Sequence, residues 1–166
     1  MLGRGFSVSS ISPWGDVGST VEERRQPMDF TLEATVAEPY EQTLARVRAG
    51  LADAGFGVLT EIDLSATLRA KLGVETPPQV ILGACRPQLA HRAVQADPRV
   101  AALLPCNVVV RSAGESATAV TVMDPDVLTS LSDRPGLSEV VADARTRLTG
   151  LLADLTEAEA GHAPRS

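Results

Sequence analysis

The sequence predicts an α+β two-layer sandwich, a five-stranded antiparallel sheet packed against helices that include a long C-terminal one. Three observations carry this. The first apolar segment alternates strictly, so one of its faces is wet, which marks an antiparallel sheet. Two later strand-like runs, Cys106 to Arg111 and Thr118 to Met123, flank "SAGES", a connection short enough for a hairpin. The chain then closes with a long stretch whose apolar residues recur at helical spacing.

Each element has a local reason. Phe30, Leu32, Ala34 and Val36 point one way in the first strand, while Thr31, Glu33 and Thr35 point the other. Pro39 opens a helix with Tyr40, Leu44, Val47 and Leu51 on one stripe, and Gly55 closes it. "GFGVLTEID" supplies a second strand, about Val58 to Asp63. Asp63 or Ser65 then caps a short helix that ends near Gly73. Pro77 and Pro78 break the chain before a third strand, Val80 to Cys85. Pro87 starts a helix running to about Ala96, and "DPRVAALLP" adds a further turn.

After the hairpin, Asp124-Pro125 fits an N-cap followed by proline at the first helical position. The last helix, from about Pro135 to Leu155, carries Leu137, Val140, Val141, Ala144, Leu148, Leu151, Leu152 and Leu155 on one stripe as the main lid on the sheet. Residues 1–27 show no apolar periodicity and read as a disordered extension with Met28 as the natural start. Residues 28–156 form one domain. Residues 157–166, with His162, read as a disordered tail.

The net charge of −6 works against nucleic acid, because duplex binding relies on basic residues to neutralise phosphates. Of 15 basic residues only Lys71 is a lysine, so Schiff-base chemistry has a single candidate. Lys71 is explained by the last turn of its helix, where a cation complements the dipole. No stretch approaches the ~20 apolar residues of a membrane span, and the N-terminus lacks the apolar region of a signal peptide. A cytoplasmic protein with reduced thiols is expected.

Several segments in order, "GFGVLTEID", "GAC" followed by Pro87 and "LA", "LLPCNVVV", and Asp124-Pro125 ending a strand, resemble the domain of unknown function numbered 302, in its cysteine-containing subgroup. The resemblance covers about residues 28–156. It implies a fold like that of the TATA-box-binding protein, an antiparallel sheet on a long C-terminal helix, and dimers among some members. It implies no activity. The subgroup has Asn after the first cysteine, where this chain has Arg86.

The candidate site residues are Cys85, Cys106, Asn107 and His91. Antiparallel neighbouring strands, as the resemblance implies, put both cysteines at the same end of the sheet. A parallel crossover would separate them by a strand length, roughly 17 to 20 Å. The first reading of a free cysteine is a small buried hydrophobe. A thiol pair with redox, sulfur-transfer or metal chemistry is the other. His91 falls on a polar helix stripe with Gln88 and Gln95, which leaves it solvated. Cys85, His91 and Cys106 would make three ligands, enough for an open zinc site, although their spacing is not of the finger type. Asn107 reads first as a strand-start residue, with a ligand hydrogen bond as its alternative.

No paired carboxylates, nucleophile elbow or phosphate loop is present in the sequence, so no enzyme class or cofactor follows. The leading function is a small-molecule binding or sensing domain, with an apolar pocket bounded by the sheet and the final helix. The alternative is a thiol-dependent redox, sulfur-handling or metal-binding protein using Cys85 and Cys106. A homodimeric interaction module with an exposed sheet face as its contact is the third.

Overall fold

The computed structural model describes residues 29–160. Trp14, Met28 and His162, and with them the expected start of the domain, lie outside these residues. In chain order the elements are β1 (Thr31–Val36), α1 (Tyr40–Asp53), β2 (Gly57–Asp63), α2 (Leu64–Leu72), β3 (Gln79–Cys85), α3 (Pro87–Ala96), a 3-10 helix (Pro98–Leu103), β4 (Cys106–Gly114), β5 (Ala117–Met123), α4 (Asp126–Leu131) and α5 (Leu137–Ala160). One sheet of five strands results, in the order β1-β5-β4-β3-β2, with every pairing antiparallel. The expected α+β fold with a long C-terminal helix is what the chain adopts.

The pleat explains where the core sits. Val80, Leu82 and Ala84 of β3 pair with Val110, Val108 and Cys106 of β4, so their side chains share one face, and all are buried. Val120 and Val122 continue that face across β5. The alternate positions Ile81, Val109 and Thr121 are half-buried and Asn107 is exposed. Leu44, Val47 and Leu51 of α1, Leu89 and Ala93 of α3, and the Leu137 to Leu155 stripe of α5 complete the core. Because β1 and β2 are the two edges of the sheet, the β1-α1-β2 unit carries the chain from one edge to the other.

Local chemistry fixes the ends. The Asp63 carboxylate accepts the Ala66 N–H at 2.8 Å at the start of α2, and Gly73 at φ +67° ends that helix in the left-handed region. Asp124 accepts the Asp126 N–H at 3.0 Å, and its carboxylate also takes Arg145 Nε at 3.0 Å, which ties the end of β5 to α5. Asp97 is buried, yet its carboxylate is held by Arg99 at 2.7 Å and by the Ser132 hydroxyl at 2.7 Å. It pins the 3-10 helix to the segment after α4.

Two expectations differ from the structure. Phe30, read as an inward residue of the first strand, lies before β1 and is 66% exposed. It sits at the margin of an edge strand, beyond which no strand lies among the described residues. The final helix runs on to Ala160 rather than ending at Leu155, because "TEAEA" is rich in residues with high helix propensity.

Candidate functional site

Cys85 and Cys106 meet at one end of the sheet. Cys106 opens β4 directly opposite Ala84, and Cys85 follows Ala84 as the last residue of β3. Both line one cavity of about 30 Å³ beneath the helices, together with Phe56, Arg86, Leu89 and Ala144. Cys106 is buried and Cys85 is partly accessible. Each is a free thiol.

Burial governs their ionisation. It pushes the Cys106 thiol up to about 11, and the neighbouring Cys85 adds to that rise. Burial raises the Cys85 thiol as well. At neutral pH both are therefore protonated, and since the thiolate is the nucleophile, neither is set up for direct attack on a substrate.

Arg86 lies against the same cavity. Its guanidinium NH1 donates to the Ala54 carbonyl at 3.3 Å, at the end of α1, while Nε is buried without a partner. Gly55, at φ +83°, makes room: a Cβ there would stand 2.6 Å from Arg86 NH1. Among the described residues no carboxylate pairs with Arg86.

The other two sequence candidates fall elsewhere. Asn107 pairs with Gly83 and is exposed on the opposite sheet face from Cys106. His91 is exposed on α3. Among the described residues no group of three His, Cys, Asp or Glu side chains is placed to hold a metal ion. The three-ligand arrangement of Cys85, His91 and Cys106 is thus not assembled.

A second feature lay outside the reach of sequence patterns. Every residue of β2 is exposed, including Val58, Leu59 at 65% and Ile62 at 48%. Leu72 and Val74 are exposed just after them. An open groove of about 520 Å³ runs along this edge, lined by Arg48, Phe56, Val58, Leu59 and Glu61. The segment "GFGVLTEID" reads as a strand, and no local signal says whether that strand lies inside the sheet or at its edge.

The profile of the family described as "Domain of unknown function DUF302" matches residues 32–155. The chain belongs to the DUF302 family. It is also similar to the crystal structure of an uncharacterized conserved DUF302 protein from Bacillus stearothermophilus. That protein shares 31% identity, the match covers 75% of this chain and 96% of that one, and the TM-score is 0.67. No curated protein matches the sequence. DUF302 membership accounts for the sheet and the C-terminal helix and leaves the chemistry to be argued from the site. No helix among the described residues is long and apolar enough to cross a membrane.

Proposed function

We propose that this DUF302 domain is a cytoplasmic interaction module that pairs with a second copy of itself through its β2 edge. One observation carries the reading. Of the seven exposed large apolar side chains among the described residues, five (Val58, Leu59, Ile62, Leu72 and Val74) lie between Gly57 and Val74. Large apolar side chains left exposed and gathered along one edge of a fold are a mark of interaction sites.

The rim suits a second copy. Arg48, Arg69 and Lys71 are balanced there by Glu61, Asp63 and Glu75, with Arg48–Glu61 and Arg69–Glu75 ion pairs. On a chain of net charge −6 this locally neutral region is where two copies repel least. The register shift between Val58 and Thr60 disfavours open-ended strand addition, so a closed two-fold contact fits better.

The small-molecule reading has less support. The cavity between sheet and helices, about 30 Å³, is far below the roughly 300 to 1,000 Å³ of ordinary ligand pockets. A metabolite would need an open groove such as the one between α1 and α5, about 460 Å³, which Arg46, Asp53, Arg147 and Asp154 line.

Size-exclusion chromatography with light scattering tests the proposal. The wild type is expected to be a dimer at micromolar concentration, and Leu59→Lys with Ile62→Lys a folded monomer. A wild type that stays monomeric at high micromolar concentration, or a double variant that stays dimeric, overturns it.

A further inference from the structure

The two edges of the sheet are built differently. β2 is irregular, with its register shift between Val58 and Thr60. β1 pairs with β5 in unbroken register from Thr31–Met123 to Val36–Thr118, and its sequence holds no proline or lysine. Proline, lysine and bulges are the usual devices that stop an edge from accepting another strand. The Asp124 N–H donates to the Phe30 carbonyl at 2.8 Å, so the Phe30 backbone faces β5. By the two-residue period of an antiparallel ladder, Leu32 and Ala34 face β5 as well, and the backbone groups of Thr31, Glu33 and Thr35 point away from the sheet. The Asp29 carboxylate takes the Thr31 N–H at 3.3 Å. The outward groups of Glu33 and Thr35, both exposed residues, have no partner among the described residues.

A groove of about 320 Å³ runs beside this edge, between β1 and α5. Leu32, Ala34, Leu152 and Ala153 give it an apolar lining. Its surroundings are acidic. Asp29 before the strand, Glu33 within it and Glu157 beside Thr156 of the groove are exposed, and none of the three is in an ion pair among the described residues. Arg145, one turn before Thr149 on α5, is already paired with Asp124 and Asp126.

We propose that β1 is a docking edge for an extended peptide segment in which apolar and basic residues alternate. The backbones of Glu33 and Thr35 offer their N–H and C=O groups to the incoming strand, and the pleat sends successive peptide side chains to opposite faces. Those on the helix side enter the groove against Leu32, Ala34 and Leu152, which calls for apolar residues. Those on the other side lie beside Glu33, which calls for Lys or Arg. The net charge of −6 draws such a segment in. A second copy suits this edge poorly, because β1 against β1 would bring the carboxylates of Asp29, Glu33 and Glu157 of both chains together. The edge is the opposite one from β2, so peptide binding here stands or falls independently of self-association.

Fluorescence anisotropy on the full chain tests this with a labelled peptide, Thr-Val-Lys-Val-Arg-Val-Lys, and an analogue carrying Glu at each basic position. The basic peptide should bind at least tenfold more tightly than the acidic one. Methylating the backbone nitrogens of the Val residues, or instead those of the basic residues, separates strand addition from plain charge attraction: one set faces β1 and should abolish binding, and the other should be tolerated. Glu33→Lys, a change at an exposed side chain, should lose at least tenfold for the basic peptide and gain affinity for the acidic one. Thr35→Pro removes an outward N–H and should lose at least tenfold, with circular dichroism confirming the fold. Should Thr35→Pro not fold, Glu33→Lys and the methylated peptides decide. Leu59→Ser with Ile62→Ser, on the other edge, should stay within about twofold of the wild type. A basic peptide that does not bind at high micromolar concentration, an unchanged preference in Glu33→Lys, equal effects of the two methylated sets, or loss of binding in the β2 variant overturns the assignment.

Discussion

Replacing Leu148 by alanine tests whether α5 is the lid that organises the core. Leu148 lies at the middle of the α5 stripe and is fully buried, within a cluster that includes Val141, Ala144 and Leu152. The change removes three carbon atoms at about 0.8 kcal/mol each, hence about 2.4 kcal/mol of lost burial. If some 40 Å³ stays unfilled, about 24 cal/mol per Å³ adds roughly 1 kcal/mol more. The expected loss is therefore about 3.5 kcal/mol, or roughly 10 to 15 °C in Tm for a domain of this size. Urea melts followed by far-UV circular dichroism measure it as a lower midpoint at unchanged slope. Leu131→Ala is the control: it deletes the same atoms from an exposed residue of α4 and should stay within about 0.5 kcal/mol. A loss below about 1 kcal/mol for Leu148→Ala, or equal losses for both variants, would refute the account of the core.

Three further outcomes follow from individual residues. Gly83→Ala should cost about 1 to 3 kcal/mol, because a Cβ there would overlap the Thr60 hydroxyl and stand 2.8 Å from Pro105 Cγ. Adding Thr60→Ala should recover part of that, and a neutral single variant would mean the contact is absent. Asp97 has its carboxyl held well below the usual carboxylate range by hydrogen bonds from Arg99 and Ser132. Its contribution is complete above pH ~4, where the unfolded carboxyl is also ionised, and is lost as pH falls below that. The advantage of the wild type over Asp97→Asn in melts should therefore shrink on acidification, and an advantage that grows in acid contradicts the pairing. Cys106 acts at the other end of the scale, its folded thiol being raised to about 11 while the unfolded one keeps its ordinary value near ~8.5. The unfolded chain sheds that proton first, so stability present below pH ~8.5 declines as pH rises toward 11. Cys106→Ala should flatten the decline between pH ~8 and ~10, and parallel slopes for the two proteins would remove the thiol as its cause.

By itself the sequence determined what neighbours along the chain decide. Alternation assigned Leu32, Ala34 and Val36 to one side of the first strand. Asp63 or Ser65 as a cap and Gly73 as a stop bounded α2, with the structure choosing Asp63, and helical spacing marked the α5 stripe from Leu137 to Leu155. The motifs from "GFGVLTEID" to Asp124-Pro125 were enough to place the chain in its family. The order of the strands was decided only by the tertiary structure, because periodicity says which residues share a face and not which strand lies beyond. Val58, Leu59 and Ile62 read like the residues of any strand, yet β2 became an edge and they became exposed surface. The same holds at the thiols. Spacing could not say whether Cys85 and Cys106 shared an end of the sheet. The antiparallel register of β3 and β4 settled that, and the pleat sent Asn107 to the face opposite Cys106. In the sequence Arg86 stood out only as a departure from the family's asparagine, and only the return of α1 toward the start of α3 put its buried nitrogen beside the cavity that both cysteines line. Burial and proximity are properties of the neighbours that folding brings in, and those neighbours lie far away in the chain.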